Sequence, residues 1–483
     1  MQKETREETR NTLRKTFRQP LIYFLIPLSL LAIALFSRLY DLGSFPHFTP
    51  GLPMCGDWPP CSGHAVFGLP GLYDDEVMNF MYSFSFSDAL SNVGGGPLAP
   101  IIIAAFTHIL GATDTIIRLP FAVASAVTSV LVYYTTNEIT HGSKMSAVLS
   151  ASYFIVMMPA LVYGRMAYGE DLIALLFILT FLATLKIKHG LSNSTPIRVW
   201  FVVAAISSAL SVIVKLDGGI VVLYFLLFLY KERLLRRGYP YFGLTVVLGG
   251  VIPFTVLLIA GKGISYFQTH VGPFVTTMGN QLIVYRAFFL DALPSGVPIF
   301  WASTTQVDTS GLFTPEYWYV FLYIALGAMI FYNFKQYSDL TLAVGTFVVF
   351  VGFFSGPVGN YWMIMILPLL AIAFGPGVKY LLKIPLVAAF GFYTFLYIPL
   401  AASLGIALIA PSLIGEFYIQ NSNLNIWNLL VLVPPAAFFF LTARMNVANT
   451  RWRILVNGVL IVIFFAVLVA ATFFVKDLYP YYT

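Results

Sequence analysis

The feature that most constrains this chain is a succession of long, uninterrupted apolar blocks, among them residues 21–35, 146–162 and 455–475. A helix needs roughly 20 apolar residues to cross the hydrocarbon core of a bilayer. Because lipid offers no hydrogen bonds to an exposed backbone, a crossing segment must be a helix or part of a closed barrel. The apolar residues run continuously instead of alternating, which indicates helices. The sequence therefore predicts an all-α polytopic membrane protein.

Charged residues make up only 10% of the 483 positions, whereas an ordinary soluble domain has about 25%. The chain has too few charges to cover a water-facing surface. Its formal net charge of +6 does not indicate a nucleic-acid partner, because the basic residues are spread through short loops. The first apolar block follows a basic segment and has no small-residue cleavage site, so we interpret it as a retained helix and not as a removed signal peptide.

About thirteen transmembrane helices fit the apolar blocks. We place them at residues 20–37, 116–136, 145–163, 170–187, 199–214, 218–230, 241–261, 317–334, 339–354, 361–377, 384–410, 426–443 and 454–475. Together they form a single transmembrane domain, residues 20–475, between a basic cytoplasmic tail at 1–19 and a short extracytoplasmic tail at 476–483.

The distribution of lysine and arginine supports a multi-pass protein of the cell membrane with a cytoplasmic N-terminus. In that orientation most of the 27 basic residues fall in cytoplasmic segments, as the positive-inside rule requires. The exceptions are Arg38, Arg118, Arg165, Lys215, Lys262, Arg286 and Lys476. These exceptions are unusual, and Lys215 among them is a candidate functional residue because a charge near membrane depth is costly.

Two extracytoplasmic segments are long, residues 38–115 and 262–315. Loops of this length are uncommon unless they have a function. The first contains the amphipathic stretch Pro97–Leu110, which we expect to lie along the membrane interface and not to cross it. We therefore expect a long first loop that carries interfacial helices.

The first loop also holds the only two cysteines, Cys55 and Cys61. Two cysteines on an oxidising face usually form a disulfide. A metal site with His47 and His64 is the alternative, although the spacing does not match the common zinc motifs.

Three consecutive carboxylates, Asp74, Asp75 and Glu76, stand just outside the membrane in the first loop. Helix capping would explain a single acid at this place. Three adjacent carboxylates repel one another, which raises the pKa of at least one of them. The run therefore favours a functional carboxylate, which can take a proton from a hydroxyl group.

Two further outer turns carry charge: Arg165 precedes Glu170 in one, and Lys215 precedes Asp217 in the other. Each has a plain structural interpretation. Arg165 can extend to the headgroups or pair with Glu170, and Lys215 can pair with Asp217. The alternative is a binding site, because guanidinium and ammonium groups bind phosphate well. Cations and acids on one face suit a substrate with a lipid tail and an anionic phosphate head.

The ordered set of motifs resembles that of the C-type (GT-C) membrane glycosyltransferases that use polyprenyl-phosphate sugars, above all the protein O-mannosyltransferases and the lipid A aminoarabinose transferases. The matching elements are Asp75-Glu76 followed by Val77-Met78-Asn79-Phe80, Gly96-Pro97-Leu98, Arg118-Leu119-Pro120, Arg165 with Glu170, Lys215 with Gly218-Gly219, and Asn360-Tyr361-Trp362 ahead of Pro368. Two features depart from the family pattern: Gly95-Gly96-Pro97 stands where the family usually has a run such as His-Pro-Pro, and the insertion at 43–71 is atypical.

The resemblance implies a GT-C-like fold and an inverting glycosyltransferase that moves a sugar from a polyprenyl-phosphate donor to a hydroxyl of an acceptor protein or glycolipid. It implies that Asp75 is the general base on the acceptor and that Glu76 supports it. It also implies that five residues bind the substrates: Arg165, Glu170, Lys215, Arg118 and Tyr361. Arg165 and Lys215 would hold the lipid phosphate. We predict no metal or cofactor, although some relatives bind a divalent cation near such acids.

A lipid-linked-sugar flippase or multi-helix transporter is the alternative, and a non-catalytic assembly or receptor protein is a third hypothesis. A transporter needs polar residues at mid-helix, along a path through the bilayer. The middles of the predicted helices are nearly free of charge. This distribution favours an enzyme that works at the membrane interface.

Overall fold

The computed structural model describes residues 24–43, 75–85, 88–89, 96–193, 197–259, 261, 317–354, 364–381 and scattered positions between 451 and 462. Within these segments all regular structure is helical. The helices are α1 (Phe24–Leu39), α2 (Asp75–Met81), α3 (Leu98–Leu110), α4 (Asp114–Ile139), α5 (Lys144–Val156), α6 (Met158–Tyr163), α7 (Gly169–Asn193), α8 (Arg198–Val214), α9 (Gly219–Lys231), α10 (Leu235–Val246), α11 (Ile252–Ile259), α12 (Tyr317–Phe354) and α13 (Leu367–Leu381). A 3₁₀ turn, Leu216–Gly218, precedes α9, and a π-helical turn, Val247–Val251, joins α10 to α11.

Helix α7 lies between α4 and α8, and α13 packs against α5, α4 and α12. The core-facing side chains of α7 include Ile173, Phe177 and Phe181, which are fully buried. Buried small and hydroxyl-bearing residues such as Ser129 let neighbouring helices approach closely, as they do in membrane bundles. These contacts place the N-terminus of α7 beside the C-terminus of α8.

A sharp break separates α5 from α6 at Met157, whose φ of −64° and ψ of 117° are extended. Pro159 has no N–H to offer to the carbonyl of Ile155, the residue four positions earlier. The guanidinium of Arg38 supplies the missing donors: Nη1 lies 3.0 Å from the Ile155 carbonyl oxygen and Nη2 lies 3.3 Å from that of Phe154. Arg38 is fully buried and thereby fastens α1 to the break.

Two described helices are long and apolar enough to cross a bilayer, Asp114–Ile139 and the continuous run Leu235–Ile259. Only 17% of the most apolar window in Leu235–Ile259 is buried against the rest of the protein. Its exposed side chains include Val251 and Leu258. An apolar surface of this length is costly in water but not in lipid. These two helices agree with the membrane protein that the sequence predicts.

The predicted spans 116–136, 170–187 and 199–214 lie inside α4, α7 and α8. The predicted span 145–163 is divided at Met157 into α5 and α6. The stretch that we expected along the interface forms α3, a helix of 13 residues. At 1.5 Å per residue such a helix is about 20 Å long, too short for a membrane core of about 30 Å.

Other boundaries differ from the prediction. The helical run predicted at 241–261 begins earlier, at Leu235. The predicted spans 317–334 and 339–354 form one helical run, interrupted at Asn333 by a non-helical φ of −157° and ψ of 65°. The predicted spans 384–410 and 426–443 lie outside the described residues. A total of about thirteen helices therefore stays a prediction.

Candidate active site

A buried ion pair joins α2 to α4 near their N-termini. Glu76 and Arg118 both have side chains with 0% exposure. Nε of Arg118 donates to Oε1 of Glu76 at 2.8 Å and Nη2 donates to Oε2 at 2.7 Å, which makes the pair bidentate. Nη1 of Arg118 also donates to the Leu42 carbonyl at 3.3 Å. Two-point pairing of this kind fixes orientation as well as distance.

The segment between α6 and α7 is attached to the same pair. The backbone N–H of Ala167 donates to Oε1 of Glu76 at 2.7 Å, and the Asn79 side-chain amide donates to the Ala167 carbonyl at 2.9 Å. Asn79 lies one helical turn after Glu76 in α2, so both contacts come from one face of that helix. Helix α2 is therefore held against Ala167 at two points. Asp75, its first residue, has its backbone placed by these contacts.

Arg165 caps the C-terminal end of α1. Its Nη2 donates to the Tyr40 carbonyl at 2.6 Å and its Nη1 lies 3.5 Å from the Ser37 carbonyl. The pKa of Arg165 is lowered to about 10, mainly by burial and also by the nearby charge of Arg118, while Asp41 opposes the shift. The guanidinium stays protonated at neutral pH, so a fixed positive charge lies at this point.

A second charged group lies where α7 begins and α8 ends. Nζ of Lys215 is 2.6 Å from Oε1 of Glu170 and 3.8 Å from Oδ2 of Asp217. The Glu170 side chain is 1% exposed, whereas that of Lys215 keeps 12% of its surface accessible. Burial raises the pKa of Asp217 to about 6, an effect that Lys215 opposes and Glu170 reinforces. Lys215 is therefore a cation shared by two acids and still reachable from outside.

Close backbone contacts bring these pieces together. Gly96 has a φ of +75°, and a Cβ added there would lie 2.4 Å from the Val214 carbonyl oxygen. A Cβ at Gly169 would lie 3.2 Å from Cγ1 of the same valine. Only glycine combines this φ with so close an approach at position 96. The turn before α3 and the start of α7 thus both reach the residue that precedes Lys215.

Two carboxylate oxygens at this place are buried and lack a hydrogen-bond partner among the described residues: Oε2 of Glu170 and Oδ2 of Asp171. Asp171 interacts electrostatically with Arg38, Glu76 and Glu170. It therefore lies within electrostatic range of both Glu76 and Glu170, the acids of the two pairs. The charged groups form one continuous cluster, which we call the outer charge cluster: Arg38, Glu76, Arg118, Arg165, Glu170, Asp171, Lys215 and Asp217.

Most of the site residues suggested by the sequence that the structure describes belong to the outer charge cluster. Their pairing differs from the simplest sequence interpretations, because Glu170 contacts Lys215 and Arg165 contacts backbone carbonyls. The side chain of Asp75 lies outside the described residues, as do Tyr361, Cys55 and Cys61.

Sequence reasoning gave no role to Arg38, Asn79 or Asp171. One signal was available for Arg38: a basic residue that breaks the positive-inside rule.

Glu76 and Arg118 are fully buried and bound to each other, which favours a positioning role for both. A divalent cation at Glu76 would have to displace Arg118 and the Ala167 N–H. Within the described part of the chain, no group of three His, Cys, Asp or Glu residues could hold a metal ion. Asp74 and the side chain of Asp75 lie outside the described residues, so the absence of a metal on the acidic run 74–76 stays a prediction.

A cavity of about 380 Å³ lies between α2 and α3. Its lining includes Phe80, Phe84, Thr107 and His108, and none of the outer charge cluster. Phe80 belongs to the same short helix as Asp75 and Glu76. The cavity is therefore a neighbour of the cluster and not the cluster itself.

A family model matches the middle part of the chain. Residues 94–257 match the family model of the dolichyl-phosphate-mannose-protein mannosyltransferases. This range contains Arg118, Arg165, Glu170 and Lys215. The resemblance to the C-type glycosyltransferases is confirmed. No curated protein matches the sequence.

Solved structures of two proteins are similar to the chain at low sequence identity. ArnT from Cupriavidus metallidurans, in the apo state, has 14% identity and a TM-score of 0.47; the match covers 94% of this chain and 77% of ArnT. ArnT bound to undecaprenyl phosphate gives 14% identity and a TM-score of 0.43, with the same coverage. The apo oligosaccharyltransferase of Archaeoglobus fulgidus has 14% identity and a TM-score of 0.42; the match covers 89% of this chain and 56% of that protein.

Proposed function

We propose that the protein transfers a sugar from a polyprenyl-phosphate donor to a hydroxyl of an acceptor protein or glycolipid. The similarity of residues 94–257 to the protein mannosyltransferases supports this proposal. The reaction takes place at the extracytoplasmic face of the cell membrane and inverts the anomeric carbon. The observation that carries the proposal is the partly accessible Lys215, held at 2.6 Å by the buried Glu170.

Lys215 and Arg165 bind the phosphate of the donor in this proposal. Arg165 is almost fully buried and its orientation is set by two carbonyl oxygens, whereas Lys215 retains accessible surface. When the bond between sugar and phosphate breaks, negative charge develops on the departing phosphate. Cations fixed before the reaction stabilise that charge without reorganising, and stabilisation of this kind is usually the largest single contribution to catalysis. Glu170 keeps the ammonium of Lys215 in place until the phosphate arrives.

Asp75 acts as the general base. It accepts the proton of the acceptor hydroxyl while the hydroxyl oxygen attacks the anomeric carbon, and the phosphate leaves from the opposite side. Direct displacement at that carbon inverts its configuration. The contacts of Glu76 with Arg118 and Ala167 hold α2, so they position the backbone of Asp75 without touching substrate.

The test is transfer of labelled sugar by the purified full-length protein in liposomes. Donors are polyprenyl-phosphate sugars, and acceptors are a serine- and threonine-containing peptide and a glycolipid. We expect Asp75→Asn and Lys215→Ala to lose at least about 100-fold in turnover, a loss typical for a general base or an electrostatic stabiliser. The control is Lys335→Ala, which removes an exposed cation. Lys335 lies near Ser338, whose hydroxyl accepts a hydrogen bond from Lys231 at the C-terminal end of α9, the end away from Lys215. Unchanged turnover in Asp75→Asn would contradict the assignment of the base.

A flippase is distinguished in the same liposomes. A lipid-linked-sugar flippase would move labelled donor between leaflets without forming a new glycosidic bond. An enzyme forms product whose anomeric configuration, read by NMR, is opposite to that of the donor. Movement of donor with no product for any acceptor would overturn the proposal.

A further inference from the structure

Away from the outer charge cluster, a second set of charges gathers at the other end of α7 and α9. Lys188 follows Glu170 in α7 by eighteen residues, which is about 27 Å along the helix axis and close to the thickness of a bilayer core. The acids of this second set are Glu138, Glu232 and Asp339. The two charged sets thus lie a bilayer thickness apart.

Every acid of the second set is already bound to a cation. Glu138 pairs with Lys186 and accepts a hydrogen bond from Nδ1 of His189, 2.6 Å away. Asp339 pairs with Lys188 at 2.7 Å and with Lys231, and Glu232 lies 3.3 Å from Lys188. These contacts tie α4, α7, α9 and α12 together. They leave no unpaired carboxylate in the set for further cations.

Three arginines next to this set have no acidic partner among the described residues. Arg233, Arg236 and Arg237 are exposed, and none forms an ion pair with a described residue. They belong to residues 230–239, which run from the end of α9 into the first residues of α10 and which we call the basic turn. A solvated surface of balanced charge would hold acids among such cations. The basic turn holds a single acid, Glu232, which Lys188 already binds.

The basic turn is held firmly by its own apolar residues. The N–H of Leu234 donates to the Leu229 carbonyl at 2.7 Å, and the Leu234 side chain is buried. A Cβ added at Gly238 would lie 2.5 Å from Cδ2 of Leu229, so the start of α10 packs directly on the end of α9. The arginines therefore project from a fixed scaffold.

The basic turn lies where a lipid-facing helix leaves the bilayer. The run Leu235–Ile259 begins inside the turn and continues as the exposed apolar helix described above. Tyr230 and Tyr239, at the two ends of the turn, are 70% and 74% exposed. Exposed tyrosines are typical of the headgroup level. The arginines are thus at the depth of lipid phosphates.

We propose that the basic turn binds the headgroups of anionic phospholipids in the leaflet on this face, which is the cytoplasmic leaflet in the topology predicted from the sequence. Guanidinium groups pair with phosphate through two parallel hydrogen bonds. A polybasic segment beside a membrane helix attracts an anionic surface, and each cation adds to the attraction. The site is independent of sugar transfer and anchors the α9–α10 corner to the membrane.

The test uses the full-length protein in nanodiscs of phosphatidylcholine, with or without phosphatidylglycerol. Native mass spectrometry counts the anionic lipid that stays bound, and scanning fluorimetry gives the midpoint of thermal unfolding. We expect phosphatidylglycerol to be retained preferentially and to raise the midpoint. Arg236→Gln/Arg237→Gln should weaken that preference by roughly 10- to 100-fold, because two cations near the anionic surface are lost.

The matched control is Arg198→Gln/Lys335→Gln, which removes the same charge from exposed positions outside the basic turn. This control should keep the preference for phosphatidylglycerol. The charge-conserving variant Arg236→Lys/Arg237→Lys should keep most of it. Equal loss in both glutamine variants would mean that only net charge matters and would overturn the proposal. Displacement of the lipid by soluble glycerophosphate would equally overturn it, since the site would then recognise free phosphate. If the double glutamine variant does not fold, the single Arg237→Gln must still lower the preference for the proposal to stand.

Discussion

The buried pair between Glu76 and Arg118 offers the sharpest test of how the outer charge cluster is held. Replacing Glu76 with leucine leaves a guanidinium with 0% exposure next to an apolar side chain. Removing one partner of a buried ion pair costs about 3–5 kcal/mol, because the other charge loses its compensation. The Ala167 N–H loses its acceptor as well, which costs about 1–3 kcal/mol more if no water replaces it. The combined loss is comparable with the whole stability of a typical domain, about 5–15 kcal/mol.

The double variant Glu76→Leu/Arg118→Met should recover most of this loss. Two apolar side chains of similar volume replace both charges, and such exchanges are often neutral or stabilising. The position of Asp75 then depends on packing and on the contact of Asn79 with Ala167 alone. We therefore expect a stable protein whose transfer rate is lower, since the base is positioned less precisely.

Thermal unfolding of the detergent-purified variants measures the effect. The matched control is Glu232→Leu, which removes an acid with 21% side-chain exposure that lies 3.3 Å from Lys188. Its cost should stay below about 1 kcal/mol, as for other partly exposed pairs. Equal unfolding midpoints for Glu76→Leu and the wild type would refute the reasoning, and so would a double variant no more stable than the single one.

Two further predictions concern Arg38 and Asp217. Arg38→Met should lower the free energy of unfolding by about 2–4 kcal/mol, because the buried carbonyls of Phe154 and Ile155 lose their donors. Arg38→Lys should restore only part of this loss, since an ammonium lacks the planar fork of a guanidinium. Full recovery of the unfolding midpoint in Arg38→Lys would contradict the role of the guanidinium as donor to both carbonyls. The folded-state pKa of Asp217 is raised to about 6, so folding favours the protonated carboxyl. Stability is therefore highest below the pKa of the unfolded chain. It falls by about 1–3 kcal/mol as the pH rises from about 4 to about 6. Asp217→Asn should remove this dependence from unfolding midpoints measured across that range, and a wild type whose stability rises over the same interval would show that the sign is wrong.

The helical bundle was largely predictable because lipid leaves the chain few choices. Long apolar blocks located α4, α7 and α8 to within a few residues. The start of the helix at Leu235 was missed because its first turn carries Arg236 and Arg237, which lower the local hydropathy. The division at Met157 was missed because the apolar block runs through it without interruption. Pro159 was the available signal, since proline cannot donate to the preceding turn.

The residues of the candidate site were easier to predict than their partners. Arg118, Arg165 and Lys215 were selected because basic residues are rare on the face that the predicted topology places outside. Which acid each cation meets depends on how separate helices pack, and no spacing along the chain encodes it. Glu170 reaches Lys215 because small residues at positions 96 and 169 allow close contact with Val214. Such contacts join residues far apart in sequence, so a pattern within one segment cannot reveal them.

The Arg38 contact has a consequence for biosynthesis. Arg38 leaves the ribosome with the first helix, but the carbonyl that its Nη1 binds belongs to a residue 117 positions later. At about 5–20 residues per second, translation needs roughly 6–25 s to cover that distance. During this interval the guanidinium has to stay hydrated at the membrane surface, which its long aliphatic stem permits. The first helix must therefore enter the bilayer in a shallow or mobile position and settle only once the helices after it have been made.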